Sequence, residues 1–137
     1  ACDDYLRRLR RHVRLTECEV KEAARASGPA AQRAAEGARL AARRPDGSTL
    51  VCLARDGQGW TSEALAAQVD RWRLAARPVA LAIGGSHGLA PELLREADAR
   101  WSLGPLTLPH ELARVVVLEQ LYRAFTILHG EPYHKGG

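Results

Sequence analysis

Val79-Ala80-Leu81-Ala82-Ile83-Gly84-Gly85 decides the fold class. Five apolar residues in a row, without the alternation of a half-exposed strand and closed by paired glycines, predict a short strand covered on both faces. Leu50-Val51-Cys52-Leu53-Ala54 repeats the pattern upstream. Between them, Asp56-Gly57 and Gly59 read as a loop. Thr61 or Ser62 then caps a helix running through Ala76, with Leu65, Val69 and Trp72 on its inner face. Downstream, Pro91 suits the first turn of a helix, Ser102-Leu103 opens an extended segment through Leu108, and Pro109 starts a long final helix that Gly130 ends. Upstream, Ser27-Gly28-Pro29 breaks the chain before an alanine-rich helix to Arg43, and Pro45-Asp46-Gly47 turns it. Asp3 to Arg14 carries Leu6, Leu9 and Val13 at helical spacing, and Glu17 to Lys21 alternates like a half-exposed strand. Helices alternating with short apolar strands predict an α/β fold, a mostly parallel sheet flanked by helices. The order opens on a helix and its first strand is the weakest, so an opening strand is expected to be missing.

The 137 residues have the size of one domain, expected to span 1–137. Hydrophobic content of 46% with 26% charged residues is that of a globular chain. Cys2, Cys18 and Cys52 are odd in number and form no CxxC, against a disulfide framework or a zinc site and in favour of a reducing, cytosolic setting. The sequence holds no apolar run long enough to span a bilayer, so no membrane association is expected. It contains no methionine, and is expected to be an N-terminally incomplete product.

The net charge of +4 is uneven, with Arg7, Arg8, Arg10, Arg11 and Arg14 crowding the first turns. Two readings are open: a solvated helix face, or guanidinium forks that grip phosphate oxygens. In open α/β sheets ligands bind beyond the carboxyl ends of strands, which groups Leu53–Gly57, Gly84–Gly88 and Leu103–Pro109. Gly84-Gly85 is either a tight turn or a close backbone approach to a ligand; it is neither GxGxxG nor a phosphate loop with its lysine. His110 falls at a helix start, where unpaired N–H groups gather, and is a cap, a surface imidazole or a site residue. Glu119 and Arg123 are spaced as a helical ion pair. Leu112, Val115, Val116, Leu118, Leu121, Tyr122 and Phe125 cover more of the last helix than one buried face requires, which suggests a homodimer interface. Glu131-Pro132-Tyr133-His134-Lys135 is either a frayed end or a set of groups that stacks on an extruded base.

Ile83-Gly84-Gly85-Ser86-His87-Gly88-Leu89, Leu106-Thr107-Leu108-Pro109-His110, Arg114 through Ala124, and Pro132-Tyr133-His134-Lys135 together resemble the ribosomal large subunit methyltransferase H family. The likeness is closest from Trp60 onward and looser over Ala1 to Ala42. It implies a SPOUT-type α/β domain with a C-terminal trefoil knot, a homodimer, and S-adenosylmethionine-dependent methylation of N3 of a pseudouridine in 23S ribosomal RNA within the assembled ribosome. By the same resemblance the cofactor is held by Leu53, Ala54, Gly84, Gly85, Gly88, Leu103, Gly104, Pro105, Leu106, Thr107, Leu108 and Pro109. No metal is implied. Catalysis then falls to His134, Tyr133, His110 and Arg114, with His134 and Tyr133 positioning the base and Arg114 contacting phosphate or substrate. The chain departs from the family in having Ala54 where an acidic residue is usual, with Asp56 as a substitute carboxylate, and in lacking the opening strand. The alternatives are a catalytically weakened RNA-binding module and a related SPOUT enzyme acting on transfer RNA.

Overall fold

A computed structural model describes residues 2–19, 28–85 and 87–133. Its elements run α1 (Cys2–Leu9), α2 (Gly28–Arg43), β1 (Thr49–Gln58), α3 (Ser62–Leu74), β2 (Val79–Ala82), α4 (Pro91–Glu96), β3 (Ala99–Trp101) and α5 (His110–Leu128). They fall into two compact units. One comprises Cys18–Gly59 and Arg77–His110; the other comprises Ala1–Glu17, Trp60–Ala76 and Glu111–Gly137.

The first of these holds the sheet, in the order β2-β1-β3 with both pairings parallel. The apolar runs are strands, as their lack of alternation predicts: Leu50, Val51 and Cys52 of the central strand are all but inaccessible. Leu50, Cys52, Ala82, Leu89 and Leu93 form the core, with Leu40, Leu94 and Ala97 packed against it. Thr49 to Cys52 pair with Val79 to Ala82. On the other side, the Leu50 N–H donates to the Asp98 carboxylate and the Leu50 carbonyl accepts from the Asp98 N–H, each at 2.8 Å. Ser48 closes the Pro45 turn (N–H to Pro45 O, 3.2 Å) and is itself held by Arg44.

Two expectations shift here. Residues 55–58 are strand, where a loop was expected at Asp56-Gly57, and the loop begins at Gly59. Leu53 and Gln58 are both partners of Trp101, so residues 54–57 bow out and return. Gly57 makes this possible, since a Cβ there would lie 2.6 Å from the Arg100 carbonyl carbon. The last strand is Ala99–Trp101, earlier than the expected extended segment at 102–108, because its pairing to β1 rests on backbone groups while only Trp101 is buried.

The second unit is helical among the described residues. Thr61 caps α3 by accepting the Ala64 N–H at 3.0 Å, and Leu65, Ala66 and Val69 are buried. Trp72 is half-buried and meets Trp60 edge to face. α1 stops at Leu9 rather than reaching Arg14: the N–H groups of Arg11 and His12 tighten onto carbonyls three residues back, and the His12 ring stacks on Phe125 at 5.4 Å. Val13 is left exposed. Glu17 to Glu19 are not in a strand, and the rest of that expected strand, Val20 and Lys21, lies outside the described residues. At the end of α5, Gly130 takes φ +69° while its N–H bonds Ile127 O and the Glu131 N–H bonds Thr126 O at 2.8 Å, the double closure of a Schellman cap. Among the described residues no helix is long and apolar enough to cross a membrane.

Candidate functional site

In the sheet-bearing unit, the parallel strands bring their carboxyl ends to one edge. Leu53 stands beside Trp101, and Cys52 beside Ala82, so the segments that follow β1, β2 and β3 leave from the same side. After β2 the chain turns sharply: the Gly88 N–H donates to Gly85 O at 3.1 Å, and Gly88 has φ +78°. Gly84 underlies this turn. A Cβ on it would lie 2.5 Å from the Gly88 carbonyl carbon, a contact with backbone that no side-chain motion relieves. From the other side, Gly37 of α2 lets the helix approach Ala90.

After β3, Gly104 donates to Ser102 Oγ at 3.1 Å, and the Arg55 guanidinium holds the Pro105 carbonyl at 3.1 Å. The segment then reaches an open pocket of about 380 Å³ lined by Gly85, Thr107, Leu108, Pro109 and His110. This is the size class of small-molecule sites. Its lining combines glycine at Gly85, apolar Leu108 and Pro109, the Thr107 hydroxyl and the His110 imidazole.

Of the expected cofactor residues, the pocket unites Gly85, Thr107, Leu108 and Pro109. Leu53, Ala54, Gly84, Gly88, Leu103, Gly104, Pro105 and Leu106 are not in its lining; Gly84 and Gly88 shape the turn behind Gly85, and Leu106 is 77% exposed. His110 is exposed on the pocket as the first residue of α5. Asp56, the substitute carboxylate, pairs with Arg100 at 3.0 Å. Arg55 was not singled out by sequence, because a lone arginine within a strand has no motif.

The helical unit carries the other candidates. Tyr133 is half-buried: its hydroxyl donates to Glu119 Oε2 at 2.9 Å and meets the Tyr5 hydroxyl at 3.4 Å. Its ring stands edge-on to Tyr122 at 4.8 Å, with the Arg123 guanidinium 5.3 Å from its centroid. Burial, then the hydrogen bonds to Tyr5 and Glu119, push its ionisation well above the usual phenol range, so the hydroxyl remains a donor. The chain is thus anchored through Tyr133, not frayed there. Arg114 is bound through two guanidinium nitrogens to the Glu17 carboxylate, which raises its pKa and keeps it cationic. His134 and Lys135 lie outside the described residues. Among those described, no group of three or more His, Cys, Asp or Glu is placed to hold a metal.

A family model described as a predicted SPOUT methyltransferase matches residues 1–134. Curated relatives agree. A protein of Anaeromyxobacter dehalogenans named ribosomal RNA large subunit methyltransferase H is 49% identical over 135 residues, 98% of this chain and 88% of its own. One of the same name from Chromohalobacter salexigens is 45% identical over 97% of this chain and 87% of its own. Another, from Pseudomonas aeruginosa, is 53% identical over 100 residues, 73% of this chain and 64% of its own.

Proposed function

Because the chain belongs to the SPOUT methyltransferase family, we propose that this methyltransferase uses S-adenosylmethionine to methylate N3 of a pseudouridine in 23S ribosomal RNA. The pocket formed by Gly85 and Thr107 to His110 at the carboxyl edge of the sheet carries the reading. The names of the relatives support ribosomal RNA as substrate. We read residues 1–137 as one functional domain, acting as a homodimer on the assembled ribosome, with a C-terminal knot of the SPOUT type.

S-adenosylmethionine supplies an electrophilic methyl on a sulfonium. The chain's residues do the rest. Gly85, Thr107, Leu108 and Pro109 hold the nucleoside, with Leu53, Ala54, Gly84, Gly88, Leu103, Gly104, Pro105 and Leu106 forming the remainder of the cofactor wall. N3 must lose its proton as it attacks, and the roles we assign are acceptance or orientation of that proton to His134 and Tyr133, with His110 as a further catalytic group. The base is extruded from its hairpin to reach them. Arg114 contacts an RNA phosphate. Its pair with Glu17 is solvent-accessible, with side chains 38% and 37% exposed, and an exposed ion pair exchanges for a phosphate at little expense.

Methyl transfer from labelled S-adenosylmethionine to 23S RNA in intact ribosomes, with the modified nucleotide located by mass spectrometry, tests the reading. His134→Ala is expected to abolish transfer at saturating substrate; unchanged transfer removes that residue from the mechanism. Ala54 and the Arg100-paired Asp56 favour one second reading, an RNA-binding module with weakened catalysis. Calorimetric titration separates the two: folded protein that takes up no S-adenosylmethionine supports the module.

A further inference from the structure

We infer that Glu119 is a positioning residue that fixes the C-terminal tail through Tyr133, an inference that rests on the proposed role of the Tyr133-His134 tail in holding the RNA base. An i, i+4 pair such as Glu119–Arg123 on a helix is ordinarily a surface decoration worth little. This one differs in three respects. Its side chains are only 17% and 18% exposed, so the charges are largely withdrawn from water. Both carboxylate oxygens are committed: Oε1 accepts from Gln120 Nε2 at 2.7 Å, and Oε2 accepts from Arg123 Nη2 at 3.0 Å and Nε at 3.2 Å. The same Oε2 also takes the Tyr133 hydroxyl at 2.9 Å, a bond to a residue 14 positions along the chain.

The carboxylate is therefore oriented before the tail meets it. Gln120 is tied in turn to Ser62 Oγ of α3 at 3.1 Å, so the orientation is referred to two helices. Arg123 contributes twice, neutralising Glu119 and covering the Tyr133 ring, while Tyr122 and Tyr5 close the remaining sides. A phenol donating to a carboxylate is a charge-assisted bond, stronger than a neutral one. Tyr133 immediately precedes His134 in sequence, and the bond fixes the last described residue before it. Glu119 touches neither RNA nor cofactor in this scheme; it acts through Tyr133.

The test is a double-mutant cycle on the full chain, with steady-state methyl transfer to ribosomal RNA and the Tm of each variant recorded. Glu119→Ala is expected to lower kcat by about 10–100-fold, the range a lost charged hydrogen bond or a misplacement near 1 Å produces. KM for S-adenosylmethionine should stay within about twofold, because the cofactor is held elsewhere. Glu119→Gln keeps an oxygen for the phenol and should retain kcat within about threefold. In a Tyr133→Phe background the same Glu119→Ala change should cost about twofold or less. Equal losses in both backgrounds, or Glu119→Ala within about twofold of wild type, overturn the inference. Should wild-type protein transfer no methyl group, the functional reading fails and the tether is judged by proteolysis. Chymotryptic cleavage after Tyr133 is expected to accelerate about tenfold in Glu119→Ala, and an unchanged rate refutes it.

Discussion

Replacing Gly84 by alanine sets a methyl group against main chain. Its Cβ would lie 2.5 Å from the Gly88 carbonyl carbon and 2.8 Å from both Gly88 Cα and Leu89 N. Carbon atoms in contact rest about 3.5–4.0 Å apart, so the turn must shift by roughly 1 Å. The turn is pinned by the Gly85–Gly88 hydrogen bond and cannot yield by a rotamer change. Overpacking of this kind costs about 1–3 kcal/mol. With unfolding entropy near 2.1 cal/mol/K per residue, a chain of 137 residues loses roughly 3.5 °C of Tm per kcal/mol, a fall of about 4–10 °C. Gly85→Ala is the control. Its Cβ meets only Glu36 Oε1, at 3.3 Å, the end of a side chain, so its Tm should move by less than about 2 °C. Gly85 lines the pocket, however, and the added methyl should weaken S-adenosylmethionine about tenfold by occupying ligand space. Thermal unfolding by circular dichroism and calorimetric titration read the two effects. A Gly84→Ala protein melting with wild type would refute the packing argument, and a Gly85→Ala protein binding normally would refute the pocket assignment.

Three further outcomes follow from other parts of the chain. Ala76 holds φ +56° just beyond α3, and Ala76→Gly should raise stability by about 0.5–1 kcal/mol in chemical denaturation; no gain would mean that the left-handed position is not strained. Burial pushes the Cys52 thiol up from 9.0 to about 11, so between those values the folded state keeps a proton that the unfolded chain has lost. The stability owed to Cys52 is complete below pH 9.0 and is lost as pH rises toward about 11; urea midpoints should fall over that window, and less in Cys52→Ala. On the proposed RNA function, Arg11→Gln with Arg14→Gln should make the plot of log binding constant against log salt shallower by roughly 1.4, and an unchanged slope leaves those exposed arginines to solvent.

The sequence was most legible where backbone chemistry follows from side-chain type. The unalternating runs at Leu50 and Val79 are both parallel strands; Leu50 to Cys52 are buried as expected, whereas Val79, Ala80 and Leu81, on an edge strand, are only half-buried. Thr61, Pro91 and Gly130 mark helix ends because capping and positive φ are local needs. It was least legible where long-range pairing overrides local propensity. Nothing in Arg55-Asp56-Gly57-Gln58 announces a strand; the partner at Trp101 imposes one. Of the three segments expected together, those following β2 and β3 both reach the pocket, through Gly85 and Thr107 to Pro109, whereas no residue of 53–57 lines it. The burial of Tyr133 was not readable, because the cluster of Tyr5, Glu119, Tyr122 and Arg123 joins parts of the chain that no spacing rule connects.

The paired bonds between Asp98 and Leu50 bear on how the sheet assembles. A parallel strand pair cannot be joined by a tight turn, so β3 must find β1 across a sequence separation of 48 positions, the slow, non-local step in folding such a topology. Hydrophobic content gives the three residues of β3 little means of telling one alignment from the next. Asp98 supplies the distinction, offering an acceptor and a donor that both meet Leu50 in a single alignment. A one-residue slip would strand the buried Leu50 N–H, a loss of about 1–3 kcal/mol. One carboxylate at the edge of a three-residue strand thus acts as a proofreading device for the segment that leads on to Thr107 and Pro109.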